Sequence, residues 1–272
     1  LIAEYFDLDG ASLWENGKNV LMRKYHADEF AEMKGLDKGE FKAKLENART
    51  LLLNEREKRS RPGLDDKSLT SWNAMMIKAL AQLHMISGED KYLDAALKAA
   101  KLIRSKLTLG NNSLMHSYKE GKSSVAGFLE DYAHTADAAI ELYQVTMDER
   151  WIEWANDLAR YAQENFFDQN ENLFWFTDSK SDDLVARKKE LYDNVIPASN
   201  SIMGHVLFRL SKFYGTDAGT DLPGLMASQM AEYVKKFPSS FSNWARLIFY
   251  MNAGFKEIVI TGPGARGILI QL

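Results

Sequence analysis

The 272-residue chain contains no cysteine. That excludes disulfides, thiolate nucleophiles, Cys-ligated zinc and cysteine-held iron–sulfur clusters within it. The same absence fits a reducing compartment, so a cytoplasmic location is the expectation. No apolar stretch reaches the ~20 residues of a membrane-spanning helix. The opening LIAEYFDLDG has no basic n-region followed by an apolar run, so it does not read as a secretory signal. Charge of one sign is missing too: 34 basic and 38 acidic residues leave a formal net charge of −4. Without a global positive field, neither nucleic acid nor a membrane surface is an expected partner. A mean hydropathy of −0.34, with 46% hydrophobic and 26% charged residues, describes a globular chain with a sizeable core and rules out disorder. The missing initiator Met and the ending GILIQL suggest a piece of something longer.

Helical periodicity is what the sequence has in quantity. From Trp72, apolar residues fall at Met75, Met76, Ala79, Leu80, Leu83 and Ile86, the spacing of a helix burying one stripe. Gly88 stops it. Asp90 can cap a second helix whose buried face would be Tyr92, Leu93, Ala96, Leu97, Ala100 and Ile103. The pair reads as an αα-hairpin.

That hairpin recurs. Leu83–Gly88 aligns on Leu142–Met147 at an offset of 59 residues, and Leu142–Met147 aligns on Leu210–Gly215 at an offset of 68. Antiparallel hairpins are therefore expected at Trp72–Lys106, Asp131–Asn165 and Asn200–Lys236, an array whose units bury their faces against neighbours. Between hairpins, Ser113–Tyr118 and Lys122–Phe128 flank a Lys119-Glu120-Gly121 turn, and Asn172–Thr177 and Asp183–Lys188 flank a second turn; both read as β-ribbons. Tyr5–Gly10 and Asn19–Lys24 look like strand or loop, whereas Ala27–Lys34 and the heavily charged Lys38–Lys58 look helical. The chain divides into an irregular and helical lead-in at 1–60 that belongs to the array, a helical-hairpin core at 61–255, and the truncated start of a strand segment at 256–272. The strand there is Glu257–Thr261.

Chemistry gathers at the first turn of each repeat. Ser71-Trp72-Asn73 falls on Glu130-Asp131-Tyr132 and then on Ala198-Ser199-Asn200, with Asp65-Asp66-Lys67 and Tyr192-Asp193-Asn194 just ahead. Helix N-termini favour carboxylates, so capping is one reading of each. Taken together, several carboxylates beside Trp72 and Tyr132 would equip a sugar site with general acid, general base and stacking platform. Asp66 and Asp131 are the acid/base candidates, supported by Asp65, Glu130 and Asp193; Trp72, Asn73, Tyr132, His134, Asn200 and Lys67 are the substrate-binding candidates. The five histidines show no HExxH or i, i+4 pair, so no metal and no cofactor is expected. Among them His134 lies nearest the proposed rim. Gly262–Gly267 matches G-x-G-x-x-G, but no helix or downstream acid follows it, and no G-x-S-x-G elbow occurs.

RSRPGLDDKSLTSWNAMMIKAL, FLEDYAHTADAAIELYQ and YDNVIPASNSIMGHVLFRLSKFYG resemble the YyaL-like family of thioredoxin-domain-containing proteins, whose animal members are called spermatogenesis-associated. The resemblance covers roughly Tyr5 to Gly262. It implies a thioredoxin-like domain, missing from this chain, followed by an all-α (α/α)6 toroid similar to N-acylglucosamine 2-epimerases and six-hairpin glycosidases. Six hairpins of ~60 residues need on the order of 360 residues, so the toroid here is partial, and self-association through its open edge is expected. The histidines used by the epimerases fall on Asn73, Tyr132 and Asn200, and the third motif reads Pro197-Ala198-Ser199-Asn200-Ser201. Fold alone does not fix function. A carbohydrate-active or carbohydrate-binding toroid fragment is the first expectation, and a non-catalytic interaction module serving the thioredoxin-like domain is its alternative.

Overall fold

A computed structural model describes residues 1–8, 13–14, 18–180, 186–215, 221–254 and 261–263. The chain divides into two compact units, Leu1–Asp65 and Asp66–Leu272.

The first unit holds α1 (Ile2–Tyr5), a two-stranded antiparallel pair β1 (Leu13–Trp14) and β2 (Lys18–Asn19), α2 (Ala27–Met33) and α3 (Lys38–Glu57). Tyr5 is helical rather than extended, and its ring packs edge-on against Phe30 at 5.1 Å and Phe41 at 5.4 Å. The Asp37 carboxylate caps α3 by accepting from Glu40 N–H at 2.8 Å. Of α3 only Phe41 and Leu45 are buried, in keeping with its charged sequence.

The second unit begins with β3 (Ser68–Leu69), α4 (Thr70–Ser87) and α5 (Asp90–Leu102), which continues as one π-helical turn over Ile103–Leu107. Next come β4 (Met115–Lys119), β5 (Lys122–Ala126), α6 (Leu129–Thr146) and α7 (Glu149–Phe166). The short pair β6 (Phe167–Asp168) and β7 (Leu173–Phe174) leads to α8 (Ser199–Tyr214), α9 (Leu222–Lys236), a 3-10 turn at Pro238–Ser240 and α10 (Ser242–Ala253). The three expected hairpins are thus α4/α5, α6/α7 and α8/α9. The inner helices α4, α6, α8 and α10 pack side by side, each against the next, and α5, α7 and α9 back them. Helices dominate, and the strands are short accessories, as expected for an (α/α) array.

Repeat equivalence extends to the backbone. Gly88, Met147 and Gly215, related by the offsets of 59 and 68, end α4, α6 and α8 with φ of 70°, 54° and 78°. Gly88 and Met147 are left-handed helical, whereas Gly215 shares only the positive φ; Met147 adopts the conformation despite its Cβ, at a cost of roughly 1–2 kcal/mol. Equivalent residues also touch. Lys78 Nζ donates to Asp137 at 2.6 Å and Gln82 Nε2 donates to Glu141 at 3.3 Å, both pairs 59 residues apart.

The buried face of α4 differs from the periodic expectation. Thr70, Ser71, Ala74, Ile77 and Ala81 are buried, whereas Trp72, Met76, Leu83 and Ile86 are exposed. Small residues let α6 approach on the first face, and the apolar stripe points elsewhere. In α6 the equivalents of those four residues are Asp131, Thr135, Leu142 and Val145, of which all but Val145 are buried. The capping residue of α5 is also one position off: Glu89 precedes it and Asp90 opens it.

The first ribbon forms as expected. β3, β4 and β5 make an antiparallel sheet in that order, and Glu120-Gly121, with φ of 49° and 82°, is a tight two-residue turn. In the second, β7 pairs with β6, and a single described backbone bond, Phe176 N–H to Lys188 O at 2.8 Å, joins the two expected segments. Residues 183–185 of the expected second strand lie outside the described residues. The same holds for the C-terminal strand expected at Glu257–Thr261, Thr261 excepted, and for the last four residues of the glycine motif.

Buried first-turn side chains tie these connections to the helices. Leu114 N–H donates to the Tyr132 hydroxyl at 2.8 Å, and Trp244 Nε1 donates to Leu191 O at 2.8 Å. The Asn200 amide accepts from Phe174 N–H at 2.7 Å and donates to Phe174 O at 2.9 Å.

Candidate functional site

Four inner helices begin at one end of the array, and each N-terminus exposes N–H groups without intrahelical acceptors. Asp131, on the first turn of α6 and fully buried, answers two of these ends at once. Its Oδ1 accepts from Ser71 N–H of α4 at 3.0 Å, and its Oδ2 accepts from Phe128 N–H at 2.9 Å. His116 on β4 brings Nδ1 to the same Oδ2 at 2.9 Å. Burial pushes the Asp131 carboxyl up, and the three donors pull against that push. Asp193 repeats the arrangement one helix pair on: Oδ1 accepts from Ala198 N–H at 3.0 Å, and Oδ2 from Asn243 N–H at 2.8 Å and Ser242 Oγ at 3.1 Å. Both aspartates therefore act as struts, with their oxygens committed to N–H and hydroxyl donors.

Glu130 is the carboxylate left with chemistry to do. It accepts weakly from Ser71 Oγ at 3.4 Å and lies 4.0 Å from His116 Nδ1. Burial and the neighbouring Asp131 and Glu190 carboxylates push it above the ordinary glutamate range. Glu190 comes from the connection before α8, where it accepts from Ser199 N–H at 3.3 Å. The hydrogen bond to Asp131 holds His116 above its ordinary value against partial burial. Beside His116 stands the half-buried Phe128 ring at 4.9 Å, itself stacked on Phe176 at 4.9 Å. The cluster thus sets a carboxyl pushed above its ordinary range beside an imidazole held above its own, with an aromatic wall next to them.

His116, Glu130 and Asp131 also bring one ligand atom each within 4.8 Å of one another. Within that set His116 Nδ1 is paired with Asp131 Oδ2, and Asp131 Oδ1 with Ser71 N–H, which leaves Glu130 as the least committed member.

The other sequence candidates are dispersed. Asp66 pairs with Lys119 at 2.6 Å on the surface, and this contact holds its carboxyl below the ordinary range. Asp65, at the end of the first unit, and Lys67 are exposed. Trp72 is 59% exposed, and the Asn73 amide donates back to Leu69 O at 2.8 Å. Tyr132 is a correction: expected as a sugar platform, it is buried in the core, with its ring stacked on Tyr161 at 5.0 Å. His134 is another. Rather than reaching the rim it is buried within α6, its Nε2 has no partner among the described residues, and burial drives its pKa down to about 4. Asn200 is fully buried and spent on the ribbon. Sequence reasoning passed over His116, Phe128, Phe176 and Glu190, which sit in connections where no helical period marks them. The usable signal was their place in or beside the ribbons expected to shape a site.

Further along the same face of α6, Asp137, Glu141 and Gln144 follow Glu130 at 7, 11 and 14 residues, within about 40° of one line down the helix. They line a cleft of about 520 Å³ shared by Lys78, Gln82, His205, Arg209, Arg246 and Tyr250, among others.

The chain is 27% identical over 256 residues to human spermatogenesis-associated protein 20, a stretch covering 90% of this chain and 33% of that protein. The mouse protein of the same name is 27% identical over 257 residues, covering 91% and 32%. The chain therefore spans about a third of the length of the curated relatives it matches. No family model matches it. Among solved structures, a GH76 alpha-mannanase from Bacteroides thetaiotaomicron superposes with a TM-score of 0.55 at 14% identity, covering 84% of this chain and 68% of that one. A cellobiose 2-epimerase from Spirochaeta thermophila superposes with a TM-score of 0.51 at 14% identity, covering 64% and 46%. At these identities the likeness establishes the (α/α)6 toroid fold. Among the described residues no helix is long and apolar enough to cross a membrane.

The His116–Asp131 pair has a measurable signature. A histidine pKa raised by folding contributes stability that is full below its unfolded value near 6.5 and fades as pH rises through the folded value. NMR titration should find the His116 pKa above 6.5, and Asp131→Asn should lower it. An unchanged titration in the variant would contradict the pairing.

Proposed function

We propose that the helix N-terminal end of the array is a carbohydrate-processing site in which Glu130 is the proton donor. The observation that carries this reading is Glu130 itself, a carboxyl on the inner-helix face pushed up by burial and by the neighbouring Asp131 and Glu190. Two carboxyl groups in unlike environments suit acid and base roles. Phe128 and Phe176, stacked on each other with Lys188 Nζ over the Phe176 ring at 4.8 Å, offer an apolar edge beside the site. In the hydrolytic form of this chemistry, Glu130 gives its proton to the glycosidic oxygen as the anomeric C–O bond breaks. Glu190 takes a proton from the water that forms the new C–O bond. Asp131 holds His116 at the rim, where the imidazolium hydrogen-bonds a sugar hydroxyl. The solved structures of like fold, a mannanase and an epimerase by name, support a sugar rather than another substrate.

Turnover of a panel of aryl glycosides, mannosides and glucosides included, tests this. Glu130→Gln should lower kcat by about 10²-fold or more, and the wild-type rate should fall as pH rises through the Glu130 pKa. A panel without turnover, or a Glu130→Gln rate equal to the wild type, would sink the assignment.

A second reading, a docking module, has one observation in its favour. The α4 stripe of Trp72, Met76, Leu83 and Ile86 is exposed, although most of its equivalents in α6 are buried. A second copy of this chain covers that face in this reading, and a thioredoxin-like domain of the longer protein is the partner it serves. Sedimentation should show concentration-dependent association that Met76→Ser combined with Ile86→Ser abolishes. A monomer at every concentration would refute it.

A further inference from the structure

Charge in the cleft further down the inner face does not close. Lys78 is tied to Asp137 at 2.6 Å, with a side chain only 24% exposed. Arg209 is fixed by three acceptors: Asp137 Oδ1 at 2.9 Å, Glu141 Oε2 at 3.2 Å and Gln144 Oε1 at 2.8 Å. These two cations balance the two carboxylates, and together they hold Asp137 below the ordinary aspartate range although it is fully buried. His205 adds no charge at neutral pH, because burial drives its pKa down to about 4, and its Nε2 is engaged with Asn243 O at 2.9 Å. That leaves Arg246, on α10. It lines the cleft, is exposed, and makes no ion pair or hydrogen bond among the described residues. Tyr250, one turn on along α10, lines the same space and is 45% exposed.

We infer that this cleft binds a small molecule through an oxyanion, a carboxylate or a phosphoryl group, received by Arg246 with Tyr250 beside it. A guanidinium offers planar, paired donors that match either group. The volume of about 520 Å³ falls in the range of sites that enclose a metabolite-sized ligand. Arg209, clamped by Asp137, Glu141 and Gln144, presents a rigid floor instead of a mobile side chain, so little ordering is needed on binding. The inference stands apart from the chemistry assigned to Glu130, which lies about 10 Å away along α6 by the rise of the helix.

Calorimetric titration of the whole chain with inorganic phosphate, D-glucuronate and neutral D-glucose reads this site directly. At least one anion should bind saturably, and Arg246→Gln should weaken it at least tenfold while Glu130→Gln leaves it unchanged. Binding of glucuronate alone identifies a carboxylate site, and binding of phosphate alone a phosphoryl site. Arg246 is solvent-exposed, so its substitution leaves the fold intact, which an unchanged circular dichroism melt verifies. Absence of saturable binding by both anions, or an Arg246→Gln variant that titrates like the parent, overturns the inference.

Discussion

The Asp131 carboxylate stands between two parallel helix ends and serves both, and much of the second unit is arranged around that constraint. Inner helices packed side by side with their N-termini together concentrate orphan N–H groups and positive dipole ends in one place. A carboxyl group shared between neighbours satisfies donors that neither helix meets alone. Asp131 does this for α4 and α6, and Asp193 does it between the start of α8 and α10. Each also fixes the connection that enters the helix, since Phe128 and Ala198 are the residues before the first turn. Charge-assisted hydrogen bonds of this kind contribute roughly 1.5–3 kcal/mol each, enough to set helix register.

Such struts consume most of the carboxylates that the sequence places there, and this sorting is what isolates a candidate acid. An oxygen already accepting two N–H groups is a poor proton donor. Glu130, adjacent in sequence, has no backbone partner among the described residues and instead bears burial and the repulsion of Asp131 and Glu190. Neighbouring residues on one helix turn thus divide structural and chemical duty by their donors: Asp131 takes the Ser71 N–H, and Glu130 only a long contact from the Ser71 hydroxyl. Two turns down, the same sharing recurs with side chains in place of N–H groups. Lys78 and Arg209 flank the buried Asp137 from the helices on either side. A buried carboxylate is costly unless paired, and here the repeat itself supplies the partners.

Much of the architecture was legible because the repeat is written in the chain. The offset of 59 residues relates Lys78 to Asp137 and Gln82 to Glu141, pairs that proved to be neighbours. The site was less legible. Periodicity reports that a helix has an apolar stripe but not which neighbour covers it, so the Trp72–Ile86 stripe was assigned to the wrong side of α4. First-turn Tyr132 and Asn200 looked like binding groups because they are polar at the site's level. Their partners are ribbon backbone atoms of Leu114 and Phe174, which only the tertiary fold brings near. His116 and Glu190 lie in connections whose conformation is set by those same contacts.

If Asp131 is a strut and Glu130 is not, their neutral isosteres must differ in their effect on stability: Asp131→Asn removes an acceptor that three donors share, whereas Glu130→Gln removes only a repelled charge. Glu130 has its pKa raised in the folded state, so ionising it costs stability as pH rises from its unfolded value through the folded one. Thermal melts of Asp131→Asn and Glu130→Gln at pH 7, beside the parent, test this most directly. The midpoint should fall by several degrees, about 1.5–3 kcal/mol, in Asp131→Asn, and should equal or exceed that of the parent in Glu130→Gln. Equal losses in the two variants, or a loss in Glu130→Gln alone, would contradict this division of roles.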